Sequence, residues 1–234
     1  KVNDIPRIFL NGKQIFQMGP LDQGWWPDGL YTAPSDEALL FDVKEMKELG
    51  FNMIRKHIKV EPSRWYMHCD REGILVWQDL PSPGLPAGHE AFARQNFEEE
   101  AVRIIDAFEN HPSIVQWVVF NEGWGQFDTE RMTQVVIDKV SPQSLVCCAS
   151  GWNDAEIGDI KDSHSYPYPS CPIDQKRACV NGEYGGITLK VPGHIWPGGD
   201  FGYTTVETPE DFTVMFNDLA DKIKDHYYYG LNAA

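Results

Sequence analysis

The chain has 234 residues, 42% of them hydrophobic, with 35 Asp and Glu against 20 Lys and Arg, a formal charge of −15 and a pI near 4.8. That is enough apolar sequence for one α/β domain over residues 1–234, while the acidic balance excludes nucleic acid and anionic membrane as partners, since phosphates are bound by clustered Lys and Arg. No run approaches the roughly 18 apolar residues of a membrane span, and residues 1–30 carry no signal-peptide pattern; the chain opens at Lys1 without a Met, so sequence before it is expected and no location is assigned.

In chain order, residues 7–18 hold Asn11-Gly12 between two apolar runs, which predicts a hairpin whose second arm leads into the first core strand. Ser35-Asp36-Glu37 starts a helix in which Leu39, Leu40, Val43, Met46 and Leu49 recur at helical spacing, and Gly50 stops it. A strand over 51–55 follows, then a helix opening at Pro62-Ser63 and closing at Gly73, a strand over 74–77 and a helix from about His89 to Asn110. Residues 110–122 read as a turn, a near-continuous apolar strand (Ile114, Val115, Trp117, Val118, Val119, Phe120) and then Asn121-Glu122. Beyond it come a helix near 128–140, a strand over 144–149, a short segment ending near 164–166, a strand over 177–182 that ends in Glu183, and a helix near 209–225.

Alternation of this kind implies a parallel sheet with right-handed crossovers. Arg55 and His57, Asp79, Asn121 and Glu122, Trp152 and Asn153, His164 and Tyr166, and Glu183 each fall just after a predicted strand. In a closed barrel all such ends converge on one face, whereas an open sheet gathers only those at its switch point. There is no GxGxxG or Walker pattern to favour a nucleotide fold. The expected fold is therefore a (β/α)8 TIM barrel. Seven strands are counted, and residues 229–234 look like the start of an eighth, so the barrel is expected to be cut before or within that strand. Unpaired edges at the gap predict lower stability or self-association, homo-oligomers included.

The five cysteines are odd in number and contain no CxxC pair, so buried free thiols are expected rather than disulfides or a zinc knuckle. The seven His show no HExxH spacing. No metal and no cofactor are assigned. A glutamate in so acidic a chain is by default a solvated surface group. Glu122 and Glu183 differ because each closes a core strand, where a polar group is held rigidly yet faces open space. Two such carboxylates make acid/base chemistry the leading expectation.

The segment Asn52-Met53-Ile54-Arg55-Lys56-His57, then Trp65-Tyr66, Asp70 and Gly73 to Trp77, resembles the first signature of glycoside hydrolase family 2, the group of β-galactosidases, β-glucuronidases and β-mannosidases. Lys56, and Ile58-Lys59 where Tyr-Pro is usual, depart from it. Asn110-His111-Pro112-Ser113 through Trp117 to Asn121-Glu122 resembles the second signature, with Gln116 and Val118 as departures, and Gly182-Glu183-Tyr184-Gly185-Gly186 is similar to the family's nucleophile strand. The resemblance runs over nearly the whole chain. It implies a retaining enzyme in which Glu122 is general acid and then base and Glu183 the nucleophile; the family's β-sandwich domains lie outside these residues.

That mechanism needs two carboxyl groups roughly 5–5.5 Å apart, one protonated and one ionised, and their mutual repulsion would raise one pKa until glycosylation removes it. On the same resemblance Arg55 and Tyr166 would hold Glu183 ionised, Asn121 would meet the sugar 2-hydroxyl, and His57 and His164 are candidates for other hydroxyls or for support. Trp25-Trp26-Pro27-Asp28, Trp124, Trp152 and Trp196 fall in loops where sugar faces could stack, whereas Trp77 and Trp117 read as core. Asp22 and Asp79 could contact hydroxyls, or Asp79 could cap the turn at Leu80-Pro81. Lys56 and Lys59 fit either uronate reading or plain surface. The substrate expected is a β-glycoside of undefined sugar. A non-catalytic carbohydrate-binding barrel, and a related retaining barrel family, are the alternatives.

Overall fold

The structure is a computed structural model and describes residues 1–82, 84, 88, 90–195 and 201–234. The chain opens on strands β1 (Phe9–Leu10) and β2 (Lys13–Gln14), an antiparallel hairpin turning through Asn11 and Gly12 at φ +48° and +78°. Only short polar residues and glycine adopt that left-handed pair readily, which is why Asn-Gly marked the turn. There follow β3 (Leu21–Asp22), α1 (Asp36–Glu48), β4 (Met53–Lys56), α2 (Ser63–Glu72), β5 (Leu75–Asp79), α3 (Glu90–Phe108), β6 (Ile114–Asn121), α4 (Thr129–Lys139) and β7 (Leu145–Ser150). The rest of the chain forms β8 (Ile160–His164), β9 (Ala178–Glu183), β10 (Ile187–Leu189), β11 (Thr204–Val206) and α5 (Pro209–Tyr229). The start proposed for α3 at His89 lies outside the described residues.

These elements belong to two compact units, residues 17–160 and residues 1–16 with 161–234. In the first, β3 to β7 make a five-stranded sheet in strict chain order, parallel throughout. An order that never reverses has no switch point, as expected of a barrel wall and not of a doubly wound sheet. Local signals set the helices against it. The Ser35 hydroxyl accepts from the Ala38 amide at 3.2 Å and caps α1, whose Leu39 and Val43 are buried, and Gly73 in the left-handed conformation ends α2. Trp65, Ile54, Val76, Trp117, Val119, Phe120, Met132 and Val136 lie in one apolar cluster. Trp77 and Trp117 are buried as expected, and the Trp77 indole donates to Gln17 Oε1.

In the second unit β8 lies beside β9. Leu231 bridges Cys179 in parallel, Asn232 N donates to Cys179 O at 2.9 Å and Asn181 N to Ala233 O at 3.0 Å, so residues 231–233 run as the expected next strand. Asn232 ties this strand to the amino-terminal hairpin: its Oδ1 accepts from Ile8 N at 3.0 Å while its Nδ2 meets the carbonyls of Gly230 (2.8 Å), Pro6 (3.1 Å) and Cys179 (3.3 Å). Arg7 adds bonds to the carbonyls of Leu231 and Tyr227. The parallel pair β10 and β11 was not foreseen, because three-residue strands separated by a Gly- and Pro-rich stretch carry no periodicity.

All five cysteines are free, and Cys69, Cys147, Cys148 and Cys179 are buried. Burial pushes the Cys179 thiol up to about 11, so it stays protonated and inert. Among the described residues no helix is long and apolar enough to cross a membrane.

Asn232→Ala should leave Ile8 N without its acceptor and strand the carbonyls around it, at roughly 1–3 kcal/mol for each buried group left unpartnered. Urea unfolding is expected to show that loss, and a midpoint unchanged from the parent would contradict the tie between the two ends of this unit.

Candidate active site

In the unit of residues 17–160 the strand ends present one connected set. Alternation along β4 turns Ile54 into the apolar cluster and Arg55 to the opposite face. There Arg55 Nε and Nη2 bind Asp79 Oδ1 and Oδ2 at 3.1 and 2.9 Å, and Nη2 also donates to Asn121 Oδ1 at 2.8 Å. His57 Nδ1 lies 2.9 Å from Asp79 Oδ2, and the Ile58 amide donates to the same oxygen at 3.3 Å. Burial alone would raise the pKa of Asp79, yet the Arg55 guanidinium and His57 outweigh it and hold the carboxyl below its usual range. Asp79 is thus the centre of the cluster. Its bonds run to groups on β4 and the loop after it and not to the turn at Leu80-Pro81.

Asn121 therefore has its carbonyl fixed by Arg55, which sets the orientation of its amide as well. The next residue, Glu122, breaks out of the strand at φ +52°, a left-handed conformation that costs a non-glycine residue about 1–2 kcal/mol. Neighbouring groups hold it there. Its amide donates to Ser150 O at 2.9 Å, and its carbonyl accepts from the indole of Trp152 at 3.0 Å. Gln126 Nε2 donates to Asn153 O at 2.9 Å, and the Asn153 amide lies so close to Gly123 that a Cβ there would collide with it. Trp152, half exposed, thus supports the backbone of Glu122 through its indole nitrogen while its ring remains accessible.

Lys56 and Lys59 are not surface residues: each is 1% exposed. Lys56 Nζ binds Asp22 at 2.7 Å and Glu61 at 3.0 Å, and Lys59 Nζ binds Glu61 at 2.8 Å and the carbonyl of Gly24. Trp65 lies 4.4 Å beneath Lys56, and Tyr31 4.7 Å from Lys59. Both ammonium groups are buried because carboxylates and ring faces replace their water. The cluster fastens the loop bearing Trp25 and Tyr31 and leaves neither lysine facing a ligand. Asp22, expected at a sugar hydroxyl, serves as one of its counter-charges.

In the other unit the end of β9 presents Glu183, buried, with the Tyr166 hydroxyl donating to its Oε2 at 2.7 Å and His164 Nδ1 3.5 Å from the same oxygen. Asn181 Nδ2 binds the carbonyls of Ser163 and Glu183, and the Gly182 amide donates to Asp162 Oδ1 at 2.6 Å, so β8 and β9 are locked in register around the carboxylate. The sequence-based residues thus fall into two groups: Arg55, His57, Asn121, Glu122 and Trp152 in one unit, His164, Tyr166 and Glu183 in the other. Trp196 lies outside the described residues. Asp79 and Asn153 stood out as strand-end residues, but the role of Asp79 as hub and those of Ser150, Gln126 and Asn153 as supports were missed, since their partners lie on other elements.

Residues 2–181 match the family described as "Glycosyl hydrolases family 2, TIM barrel domain". The β-galactosidase of Lactococcus lactis is 30% identical over 126 residues, 51% of this chain and 12% of that protein. The β-glucuronidase of Bacteroides fragilis is 34% identical over 125 residues, 49% of this chain and 17% of that protein. The chain accordingly aligns with less than a fifth of either relative's length. Among solved structures, the β-galacturonidase from Eisenbergiella tayi, bound to galacturonate, superposes with a TM-score of 0.60 at 22% identity, covering 70% of this chain and 31% of that one. At that identity the likeness speaks for the fold.

Asp79→Asn should take away the buried carboxylate that Arg55 and His57 share and cost about 3–5 kcal/mol at neutral pH. A carboxyl held below its unfolded pKa stabilises fully above about pH 4 and loses that share as pH falls through its lower folded value. Urea unfolding of the two proteins from pH 7 to 3 should therefore show the difference shrinking on acidification. Gly24→Ala would set a methyl 2.5 Å from Glu61 Oε1 and 2.9 Å from Lys56 Nζ at φ +61°. Thermal unfolding should register a loss of at least roughly 1–2 kcal/mol; a neutral result would mean that the loop yields without disturbing the ion cluster.

Proposed function

The chain belongs to glycoside hydrolase family 2, matching its TIM-barrel domain, and from that membership we propose that it is the catalytic domain of a retaining β-glycosidase with Glu183 as nucleophile and Glu122 as general acid and base. The observation that carries this reading is the setting of Glu183: a carboxylate at a strand end with a phenol bonded to one oxygen and an imidazole beside it. A nucleophile must be ionised and aimed, and a charge-assisted bond from Tyr166 serves both needs.

In the first step an oxygen of Glu183 bonds to the anomeric carbon as the glycosidic C–O bond breaks, and the protonated Glu122 gives its proton to the departing oxygen. In the second, Glu122, now a carboxylate, takes a proton from water while the water oxygen bonds to the anomeric carbon and the ester to Glu183 is released. Asn121 Nδ2, orientated by Arg55, is proposed to donate to the sugar 2-hydroxyl, and His57, locked by Asp79, to meet a neighbouring hydroxyl. The ring of Trp152 would face the sugar while its indole nitrogen steadies the acid/base residue. No cofactor enters either step. The sugar stays open, and Lys56 and Lys59 supply no argument for a uronate because their charge is spent on Asp22 and Glu61.

Glu183→Gln is expected to abolish turnover of aryl β-glycosides. Glu122→Ala should lower kcat/KM by about 10²–10⁴, least with a 2,4-dinitrophenyl leaving group, which departs without a proton, whereas kcat should fall even there because the second step loses its base. A panel of 2-deoxy-2-fluoro glycosides followed by peptide mapping should place the label on Glu183. Sugar binding without hydrolysis, or a label on another residue with Glu183→Ala still active, would overturn the proposal.

A further inference from the structure

Beyond Glu183 the backbone passes through Gly185 and Gly186 into β10, and β11 returns beside it. Gly186 O accepts from the amides of Tyr203 at 2.8 Å and Thr204 at 3.3 Å, and the Thr188 hydroxyl donates to Phe201 O at 2.7 Å. These bonds set the Tyr203 ring flat on that of Tyr166, with centroids 3.7 Å apart and planes 12° from parallel. Tyr166 is the residue whose hydroxyl bonds Glu183 at 2.7 Å. Gly186, at φ +64°, makes room for the stack, since a Cβ there would lie 2.5 Å from Tyr203 Cδ2 and 3.4 Å from the Tyr166 ring. Phe201 closes the outer side edge-on, 5.7 Å from Tyr203.

We propose that Tyr203 is a positioning residue for the nucleophile, fixing by ring stacking the tyrosine that aims the Glu183 carboxylate. The inference rests on the proposed role of Glu183. A phenol on a freely turning Cα–Cβ bond samples several rotamers, and only one delivers its hydroxyl to Glu183. A flat neighbour held by the β10 and β11 backbone removes the others, and a carboxylate aimed before substrate arrives reaches the transition state with less rearrangement. Tyr203 is 54% exposed and Phe201 83% exposed, so a sugar-stacking platform is the rival role. A platform would act on affinity, whereas positioning acts on the bond-forming step.

The test follows the rate at which 2,4-dinitrophenyl 2-deoxy-2-fluoro-β-glycosides of glucose, galactose, mannose and glucuronic acid label the protein, with thermal unfolding alongside. Tyr203→Ala is expected to slow the labelling rate constant of the reactive glycoside by roughly three- to tenfold while leaving its binding constant unchanged. Tyr203→Phe, which keeps the flat ring, should restore most of the loss, and Gly186→Ala should reproduce it. In a Tyr166→Phe background, Tyr203→Ala should add nothing, which separates positioning from general weakening of the fold. An unchanged labelling rate in Tyr203→Ala, a change in binding constant alone, or an equal loss in the Tyr166→Phe background would overturn the inference and leave the role of Glu183 standing. Failure of all four glycosides to label Glu183 in the unaltered protein would remove that role and the inference with it.

Discussion

A carboxylate taken out of water stays ionised only if positive charge and hydrogen-bond donors replace the solvation it has lost. Asp79 meets that condition through the Arg55 guanidinium, His57 and the Ile58 amide, and the other positions in its unit follow from it. Arg55 is held by two bonds to Asp79, and its Nη2 donates to Asn121 as well. Asn121 is thereby fixed through its carbonyl, and His57 is anchored through its Nδ1. Three strands, β4, β5 and β6, are tied together by a single buried charge.

The same logic of support recurs one residue on. Glu122 leaves β6 in a conformation that its own backbone disfavours, and it persists because the end of β7 and the loop after it grip its backbone through Ser150 and Trp152. Strain of this kind survives only where the surroundings overdetermine it. In the other unit Glu183 has no such strain; it lies in line with β9, and the precision of its placement comes instead from side chains, Tyr166 and His164 beside it and Asn181 and Asp162 beneath. One carboxylate is fixed through its backbone, the other through its neighbours. For residues proposed as a proton shuttle and a nucleophile the difference is apt, since the nucleophile needs a defined oxygen whereas the shuttle must serve two steps.

The departures from the family signature also acquire a reason. Lys56 and Lys59 stand where other residues are usual, and with Glu61 and Asp22 they form a buried, locally balanced cluster beneath the loop of Trp25 and Tyr31. Charged residues inside a fold are tolerated only if opposite charges arrive with them. Gly24, pressed against three charged side-chain ends, is part of the same arrangement. The cluster gives the loop an ionic anchor, and a surface assignment made from residue type fails here because the loop that carries Asp22 and Gly24, more than thirty residues away, closes over both lysines.

Periodicity, caps and turn residues sufficed to lay out the repeated βα units, from the Asn11-Gly12 hairpin through the Ser35 cap and the Gly73 stop to the strand resuming at Leu231, because each is a contest between neighbouring groups within a few residues. The strand-end polar residues were legible for the same reason: a carboxylate closing an apolar run is conspicuous in one dimension. The partners of those residues were not legible. That Asp79 serves Arg55, that Lys56 is buried on Asp22, that the Trp152 nitrogen holds Glu122 and that Tyr203 lies on Tyr166 depend on which side chains meet once distant segments fold together. The chain order specifies which groups are available, and only tertiary packing, by excluding water and setting distances of about 3 Å, decides which of them are bound to one another.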